Sequence, residues 1–489
     1  MSIRSPTAAL ALACALLIPS CSAGEPPPNV VLVVIDTLRA DRLPFHGCAR
    51  NNAPFLEELA AGGLVFENAW SPSSWTLPAT ASIFTSTYPF QHGVIDGFPL
   101  KVGDPEMGGD LPVNVLPAGL ETLPELMRRQ GYSTFGISAN VLVDVELGFD
   151  RGFDRFLGLD DVKAERVNEE LARWRDEIRG SEPYFLYLHY YDPHHPYHQR
   201  EPWHDPPGLG LEERDPPDAF ARVWRRYLGT GGLDETRERH LQELLGLGQE
   251  VEITSDLATQ LLETLMAAYD SEIAYVDTKL REAFDLLGVD SSTAVIVTSD
   301  HGEEFLDHGA FGHGQGLYTE LIHVPLIARL PGADAPRGRV AAHVSTLDIL
   351  PTLRSYLGAG PGPQDEGADL LRAGTGEGAR TVFSMLFEAD AGDGWDGTYE
   401  REAFAVVRGP HKAIFGRPSG QRELYDLTAD RGEAADLAGA RGELISELEA
   451  AFDALRGRAR TWDREFERLG GLDDAVLEHM RALGYAGHE

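Results

Sequence analysis

The sequence predicts an α/β protein with a large, mostly parallel sheet flanked by helices, followed by a small C-terminal antiparallel α+β subdomain. Continuous apolar, β-branched runs are typical of strands buried on both faces of a parallel sheet. Such runs occur at 29–35, 184–190 and 293–299. Shorter alternating segments at 404–408, 412–415 and 423–427 indicate the antiparallel part. Helices are predicted at 53–61, 122–130, 162–178, 255–287 and 346–357.

The composition excludes one class of partner. The chain has 489 residues, 43% of them hydrophobic, and a formal net charge of −36. The hydrophobic share is ample for a large core. The negative charge repels polyanions, so we expect no nucleic-acid partner. There are four lysines (Lys101, Lys163, Lys279 and Lys412), which limits the residues able to bind an anion.

Residues 1–21 predict a lipoprotein-type signal peptide. Arg4 precedes an apolar run at 8–18, which is too short to span a bilayer, and Ile18-Pro19-Ser20-Cys21 follows. An ordinary cleaved signal with a chance cysteine is the alternative. We expect an exported protein that is lipid-anchored in the bacterial envelope (periplasmic or cell surface) and that meets the membrane through this anchor only. If Cys21 is lipidated, Cys48 remains alone and no intrachain disulfide is available.

The rest of the chain divides into four parts. Residues 22–28 read as a tether and 29–375 as the catalytic α/β domain. The polar segment 201–252 is predicted to be an insertion, with a lid over the site as one interpretation. Residues 376–489 form the C-terminal subdomain, with helices predicted at 443–466 and 473–483.

Two of the buried strands end in acidic residues. Asp36 follows the first strand, and Asp300-His301 follows the strand at 293–299. Open α/β sheets bind ligands at the carboxyl ends of their strands. Asp and His are ligands for divalent metals, although a single acid at a strand end is often only a cap.

A hydroxyl is predicted at the start of a helix in the segment 71–93. Pro78 is suited to the first helical position, which places Thr76 just before the helix N-terminus. Free N–H groups and the helix dipole favour negative charge there, so an alkoxide or an anionic ester would be stabilised. A plain Ser/Thr-rich loop with a helix cap is the alternative.

Histidines follow the strand at 184–190. Four of them occur within ten residues: His189, His194, His195 and His198. A His-rich surface loop is the alternative. His313 lies between two glycines, which allow close backbone approach around its imidazole.

These residues converge on a metal site. Asp36, Thr76, Asp300 and His301 are a candidate four-ligand set for a divalent metal that would activate the hydroxyl for attack on phosphorus or sulfur. His194 and His313 are candidates to stabilise ester oxygens or to protonate the leaving alcohol. The ligand types allow Ca, Mg, Mn or Zn.

The chain resembles the sulfatase family of the alkaline phosphatase superfamily. The resemblance rests on NVVLVVIDTLRAD, SSWTLPATASIFTSTYPFQHG, FLYLHYYDPHHPY, VIVTSDHGEEF, FGHGQGLYTELIHVPLI and ELYDLTAD. It implies the family's fold and a metal-dependent ester hydrolase. It also implies residue roles: metal ligands at Asp36, Asp300 and His301, the nucleophile at Thr76, and substrate-contacting histidines at His194 and His313.

The sequence departs from the family at the nucleophile. Thr76 stands where sulfatases have a Cys or Ser that becomes formylglycine, and Thr80 stands at the family's arginine position. We therefore expect no formylglycine. The family's Lys-x-His is Ser138-Ala139-Asn140 here, and its paired Asp-Asp is Asp36-Thr37. The remaining substrate-binding candidates are Arg39, His189, Asp192 and Asn140.

Three functions stay open from the sequence. The first is a metal-dependent hydrolase or transferase of phosphate esters, phosphodiesters favoured, acting through Thr76. The second is a sulfuric ester hydrolase without formylglycine. The third is a non-catalytic lipoprotein that binds a glycan. A small-molecule, glycan or lipid ester is the expected substrate, and a two-metal site with Asp192, His194 and His313 is a further possibility.

Overall fold

The computed structural model describes residues 27–95, 110–195, 197–198, 200–202, 255–373, 380–389, 399–463 and 465–470. The predicted signal peptide, most of the tether, nearly all of the insertion at 201–252 and the predicted helix at 473–483 lie outside these residues. No helix within them is long and apolar enough to cross a membrane.

A nine-stranded sheet forms the centre of the fold. Within the described residues, the strands up to position 345 are β1 (Val30–Ile35), β2 (Leu64–Trp70), β3 (Asp110–Val115), β4 (Ser133–Ser138), β5 (Arg155–Gly158), β6 (Tyr184–Tyr190), β7 (Ala294–Thr298), β8 (Glu304–Phe305), β9 (Phe311–Gly312), β10 (His323–Val324), β11 (Leu326–Arg329) and β12 (Gly338–Ser345). The order across the sheet is β10-β2-β11-β7-β1-β6-β4-β5, with β12 paired to β2. β11 runs antiparallel to both β7 and β2, and β10 is antiparallel to β2. The sheet is therefore mostly parallel, as predicted.

Helices cover both faces of this sheet. They are α1 (Pro54–Ala61), α2 (Thr76–Thr85), α3 (Pro89–His92), α4 (Leu123–Arg129), α5 (Ala164–Arg179), α6 (Ser255–Leu287), α7 (Thr319–Ile322), α8 (Ile349–Tyr356) and α9 (Gly442–Arg458), the last of which packs on the C-terminal sheet. The six residues of β1 are fully buried, and alternate residues enter two different apolar clusters. Burial on both faces explains why β1 is a continuous apolar run.

The register of the central strands brings their carboxyl ends to one level. Val34 of β1 lies opposite His189 of β6 on one side and Thr298 of β7 on the other. The backbone N–H of Asp36 then donates to the carbonyl of Tyr190 at 2.9 Å. Residues that follow β1, β6 and β7 consequently meet at the same edge of the sheet.

Helix α2 begins two residues earlier than predicted. Trp75 is its extended N-cap residue, Thr76 is its first residue and Pro78 its third. Proline is tolerated there because the first N–H groups of a helix have no partner within the helix. Thr76 is therefore inside the first turn, where the sequence analysis had placed it just outside.

The C-terminal subdomain is built on a second, antiparallel sheet. Its strands are β13 (Thr381–Ala389), β14 (Tyr399–Arg408), β15 (His411–Arg417) and β16 (Arg422–Asp426), in that order across the sheet. The predicted helix at 443–466 is wrong beyond Arg458. The N–H of Trp462 donates to the carbonyl of Gln91, and β17 (Glu465–Gly470) pairs with β3 instead.

A buried ion pair joins the two parts of the molecule. Lys412 of β15 and Glu433 are both almost fully buried, with 2.7 Å between Nζ and Oε1. The other carboxylate oxygen of Glu433 accepts the N–H of Thr319 at the start of α7. Removing one partner of such a pair leaves an unpaired buried charge.

Replacing Lys412 tests this junction. We expect Lys412→Met to lower the free energy of unfolding by about 3–5 kcal/mol, because the Glu433 carboxylate stays buried without a cation. Lys279→Met is the matched control, since its pair with Glu282 is solvent-exposed and worth about 0–1 kcal/mol. Urea unfolding measures both variants. Equal losses in the two would show that the buried pair does not stabilise the junction.

Candidate active site

Two carboxylates and an imidazole form a compact, fully buried cluster at the carboxyl edge of the sheet. The ligand atoms of Asp36, Asp300 and His301 all lie within 4.8 Å of one another. His301 Nε2 is 3.5 Å from Asp36 Oδ1 and 3.5 Å from Asp300 Oδ2. Three of the four predicted metal-ligand residues are thus brought together.

Backbone groups orient Asp300. Its Oδ1 accepts the N–H of His301 at 2.9 Å and the N–H of Thr37 at 3.3 Å. Thr37 adopts the left-handed backbone region with φ 54°, a conformation that costs free energy for a threonine. With Oδ1 held in this way, Oδ2 is the oxygen turned toward His301.

His301 is oriented by its neighbour. Its Nδ1 donates to the carbonyl of Gly302 at 2.8 Å, which leaves the lone pair on Nε2 for the cluster. Position 302 admits only glycine here, because a Cβ would lie 1.9 Å from the carbonyl oxygen of Glu320. The chain can therefore fold back against α7 directly after the cluster.

Thr76 reaches the cluster from α2. Its Oγ1 lies 3.2 Å from His301 Nε2 and 3.4 Å from Asn140 Nδ2. Asn140 also donates to Asp36 Oδ2 at 2.5 Å, and its own Oδ1 accepts the N–H of Leu142, which fixes the orientation of the amide. Asn140 therefore holds the hydroxyl and one carboxylate in place.

The cluster has the properties of a cation site. Burial, and then the charge of Asp300, raises the pKa of Asp36 well above its usual range. Burial likewise raises the pKa of Asp300 and lowers that of His301 well below its usual value. Asp36 Oδ1, Asp300 Oδ2 and His189 Nε2 are buried without hydrogen-bond partners. A divalent cation would satisfy these atoms and offset the two charges, so the residues fit the predicted metal.

A second group of histidines lies beside this cluster. The rings of His194 and His313 are 4.9 Å apart, and the His313 ring is 4.5 Å from that of His301. Burial, and then the neighbouring His195, lowers the pKa of His194 well below its usual value. His194, His195 and His313 could together hold a cation, so His195 takes the place that the sequence analysis gave to Asp192.

Glu303 orients His313. The Nδ1–H of His313 donates to Glu303 Oε1 at 2.8 Å, and the hydroxyl of Tyr197 donates to Oε2 at the same distance. Burial raises the pKa of Glu303, but the charge and hydrogen bond of His313 outweigh it and the net pKa is lowered. Glu303 is therefore an anion that fixes the His313 tautomer and leaves Nε2 facing away from it.

The structure does not place Arg39 as a substrate ligand. Its guanidinium donates to the Asp41 and Asp307 carboxylates and to the carbonyl of Glu303. All five N–H groups are used in these bonds, so none is left for an anion. Arg39 instead ties the loop after β1 to the loop after β7.

Asp192 also has a structural position. Its Oδ2 accepts the N–H of Ala164 at the start of α5, and its Oδ1 lies 3.3 Å from Lys163 Nζ. A carboxylate at a helix N-terminus is satisfied by the backbone and the dipole. Asp192 therefore has structural partners in this fold, and its assignment as a substrate or metal ligand stays a prediction.

The sequence analysis missed two supporting residues. Glu303 lies two positions after His301, and Tyr187 lies two positions before His189 and contacts its Nδ1 at 2.9 Å. An i, i+2 spacing along an extended chain puts two side chains on the same face, which was the available signal for Tyr187. Nothing in the sequence indicated the bond from Glu303 to His313, ten residues away.

Comparison with known proteins decides the family. The family model described as Sulfatase matches residues 28–359, which is well over half of the chain. The chain belongs to the sulfatase family. This finding confirms both the resemblance seen in the sequence and the sulfatase-like fold class.

Sulfatase relatives extend over almost the whole chain. Bovine arylsulfatase A is 28% identical over 92% of this chain and 91% of its own. A solved 2-O GAG sulfatase superposes with a TM-score of 0.66 at 19% identity, covering 95% of this chain and 98% of that one. The phosphonate monoester hydrolase of Agrobacterium radiobacter superposes with a TM-score of 0.64 at 22% identity, covering 88% and 96%. At these identities, the two structures show a shared fold.

Replacing Asp36 tests the candidate cation site of this sulfatase-family chain. We expect Asp36→Asn to raise the melting temperature in chelator, because it removes one of two buried like charges, by a free energy on the order of 1 kcal/mol. The same variant should lose most of the stabilisation that Zn²⁺ or Mn²⁺ gives the parent chain. Thermal unfolding with and without metal measures both effects.

The exposed Asp285→Asn is the control and should behave as the parent in both conditions. A chain with Asp36→Asn that melts lower in chelator and keeps its full response to metal would contradict the assignment of Asp36 to the cation site.

Proposed function

We propose that this sulfatase-family hydrolase cleaves phosphate esters, phosphodiesters above all, with Thr76 as the nucleophile and a divalent metal at Asp36, Asp300 and His301. The observation that carries the proposal is the position of Thr76 Oγ1. It lies 3.2 Å from His301 Nε2 in the first turn of α2, beside the buried carboxylates. A hydroxyl so placed can attack an ester held at the same helix N-terminus.

The bound metal would lower the pKa of the Thr76 hydroxyl and polarise the ester oxygens. Thr76 gives up its proton to solvent, and its Oγ1 forms a bond to phosphorus while the bond from phosphorus to the leaving oxygen breaks. His313, held at Nδ1 by Glu303, acts in its doubly protonated form and donates the proton on Nε2 to that leaving oxygen. It regains a proton from the water that releases the phosphoryl group. Water, or an acceptor alcohol in a transferase, releases the phosphoryl group from Thr76. Asn140 fixes the hydroxyl throughout.

The low net charge around Thr76 favours an ester substrate that carries a single negative charge. Among the residues that the structure describes, the side chains that hydrogen-bond Thr76 Oγ1 are His301 and Asn140. Both are neutral, since burial lowers the pKa of His301. A divalent metal with two carboxylates also sums to about zero charge. A phosphodiester or a sulfate ester, with one negative charge, fits such surroundings better than a doubly charged phosphate monoester.

Sulfate-ester hydrolysis without formylglycine is the second candidate. The same charge argument favours it, and the name of the bovine relative, arylsulfatase A, makes a sulfate ester a reasonable substrate class. Threonine at position 76 excludes only the formylglycine route, which needs a Cys or Ser there, so this candidate would use the Thr76 hydroxyl as nucleophile, or would use Thr76 only as a metal ligand while water attacks sulfur directly. A glycan or lipid ester remains the proposed substrate in either case, and export with a lipid anchor at Cys21 remains a proposal from the sequence.

Replacing Thr76 tests the nucleophile. We expect Thr76→Ala to bind metal normally and to lose at least about 10³-fold in kcat, because the covalent route is closed. Thr80→Val is the matched control one helical turn away, where the hydroxyl has no hydrogen-bond partner. Its activity should stay close to that of the parent. Both variants are assayed with three esters of the same aryl alcohol: a phosphate diester, a phosphate monoester and a sulfate. Near-normal activity of Thr76→Ala would contradict the proposed role of Thr76.

Intact-mass measurement separates the two candidates. Phosphotransfer through Thr76 predicts a mass gain of one phosphoryl-containing group, mapped to Thr76, after rapid quenching with the diester. Turnover of the sulfate ester alone, without any phosphoryl adduct, would show that the chain is a sulfatase and that the phosphodiester proposal is wrong.

A further inference from the structure

We propose that His189 is an additional ligand of the metal held by Asp36, Asp300 and His301, and that its imidazole makes the site selective for a transition metal such as Zn²⁺ over Ca²⁺. The inference rests on the metal site of the proposed function, but not on which ester is cleaved. The sequence analysis had assigned His189 to substrate binding.

The first observation that supports this assignment is the position of His189 Nε2. It lies 3.9 Å from Asp36 Oδ2 and 4.0 Å from Asp300 Oδ2. Two ligands of one zinc ion, each about 2.0–2.2 Å from it, must lie within about 4.4 Å of each other. The distances from His189 to both carboxylates satisfy this limit, whereas the residues whose ligand atoms all lie within 4.8 Å of one another are Asp36, Asp300 and His301. His301 is closer to the carboxylates, at 3.5 Å, so His189 is the outer member of the set.

The second observation is that His189 is buried with an unsatisfied ring nitrogen. The residue is fully buried, and its Nε2 has no hydrogen-bond partner. A buried polar atom without a partner costs free energy, and 3.9–4.0 Å is too long for a hydrogen bond to either carboxylate. A cation between the imidazole and the two carboxylates would satisfy all three groups at once.

The third observation is the contact between Tyr187 and the other ring nitrogen of His189. Its hydroxyl lies 2.9 Å from His189 Nδ1, on the side of the ring away from the carboxylates. Metal-bound histidines almost always donate their second ring N–H to a protein acceptor, which fixes the tautomer. The contact allows two tautomers, and a metal at Nε2 selects the one in which Nδ1–H donates to the Tyr187 oxygen and the lone pair of Nε2 faces Asp36 and Asp300.

The ligand count gives the consequence for metal choice. Two imidazoles, two carboxylates and the Thr76 hydroxyl form a mixed nitrogen and oxygen set. Ca²⁺ and Mg²⁺ take oxygen ligands almost exclusively, whereas imidazole suits Zn²⁺ and other transition metals. Removing one imidazole should therefore weaken Zn²⁺ binding and leave Ca²⁺ binding nearly unchanged.

Metal titration of the purified full chain tests this assignment. The chain is stripped with chelator, and Zn²⁺ and Ca²⁺ are titrated separately by calorimetry, with a competing chelator for Zn²⁺. We expect His189→Ala to weaken Zn²⁺ binding at least tenfold and Ca²⁺ binding less than twofold. His343→Ala, a partly buried imidazole bonded to Trp70 and to the carbonyl of Gly409, is the matched control and should change neither.

Tyr187→Phe keeps the test decisive if His189→Ala does not fold. This variant preserves ring size and removes only the acceptor for Nδ1–H, so Zn²⁺ affinity should fall severalfold while Ca²⁺ affinity stays constant. The absorption spectrum of the Co²⁺-loaded chain should also change in both variants, because an inner ligand is lost or reoriented.

Unchanged Zn²⁺ affinity and an unchanged Co²⁺ spectrum in the folded variants would overturn the proposal. If KM for the ester then rose instead, His189 would be a substrate contact. None of these binding measurements requires turnover. Failure of the proposed phosphodiester activity, with the metal result intact, would leave the assignment of His189 standing.

Discussion

The whole active site depends on two carboxylates that the sheet buries side by side. Asp36 and Asp300 follow neighbouring parallel strands, and the parallel register places the two buried carboxylates next to each other. Burial raises the pKa of both, and the charge of Asp300 raises that of Asp36 further, so the bare cluster is unfavourable unless a cation or protons compensate it. His301 and Asn140 lie directly against these carboxylates, and Thr76 Oγ1 in turn contacts both His301 and Asn140.

The hydrogen bonds around Asp300, His301 and His313 orient these side chains, so that the atom of each that is not bonded faces the site. Backbone N–H groups donate to one oxygen of Asp300. The Nδ1–H of His301 donates to the carbonyl of Gly302, and the Nδ1–H of His313 donates to the Glu303 carboxylate. In each case the remaining donor or acceptor atom is left for the site. Such arrangements reduce the reorganisation needed when a ligand binds, which is the basis of electrostatic preorganisation.

The fold and the inner part of the site were predictable because they follow local rules. Apolar runs gave the buried strands, and the edge rule for parallel sheets placed Asp36, Asp300 and His301 together. The structural contacts of Arg39 and Asp192 could not be predicted because their partners, Asp307 and the N–H of Ala164, belong to distant parts of the chain. A charged residue beside a motif looks the same in the sequence whether it faces the substrate or a structural partner. Only the packing of the loops distinguishes the two.

The order of the strands has a consequence for folding. β1 lies between β6 and β7, so residues near position 36 must pair with segments that leave the ribosome about 150 and 260 residues later. Contacts this distant in sequence form slowly and at a high cost in loop entropy. The candidate metal ligands can therefore assemble only after most of the chain has been synthesised and the central sheet has closed. A cation that bound this assembled cluster and not the unfolded chain would shift the slow final folding equilibrium toward the native state.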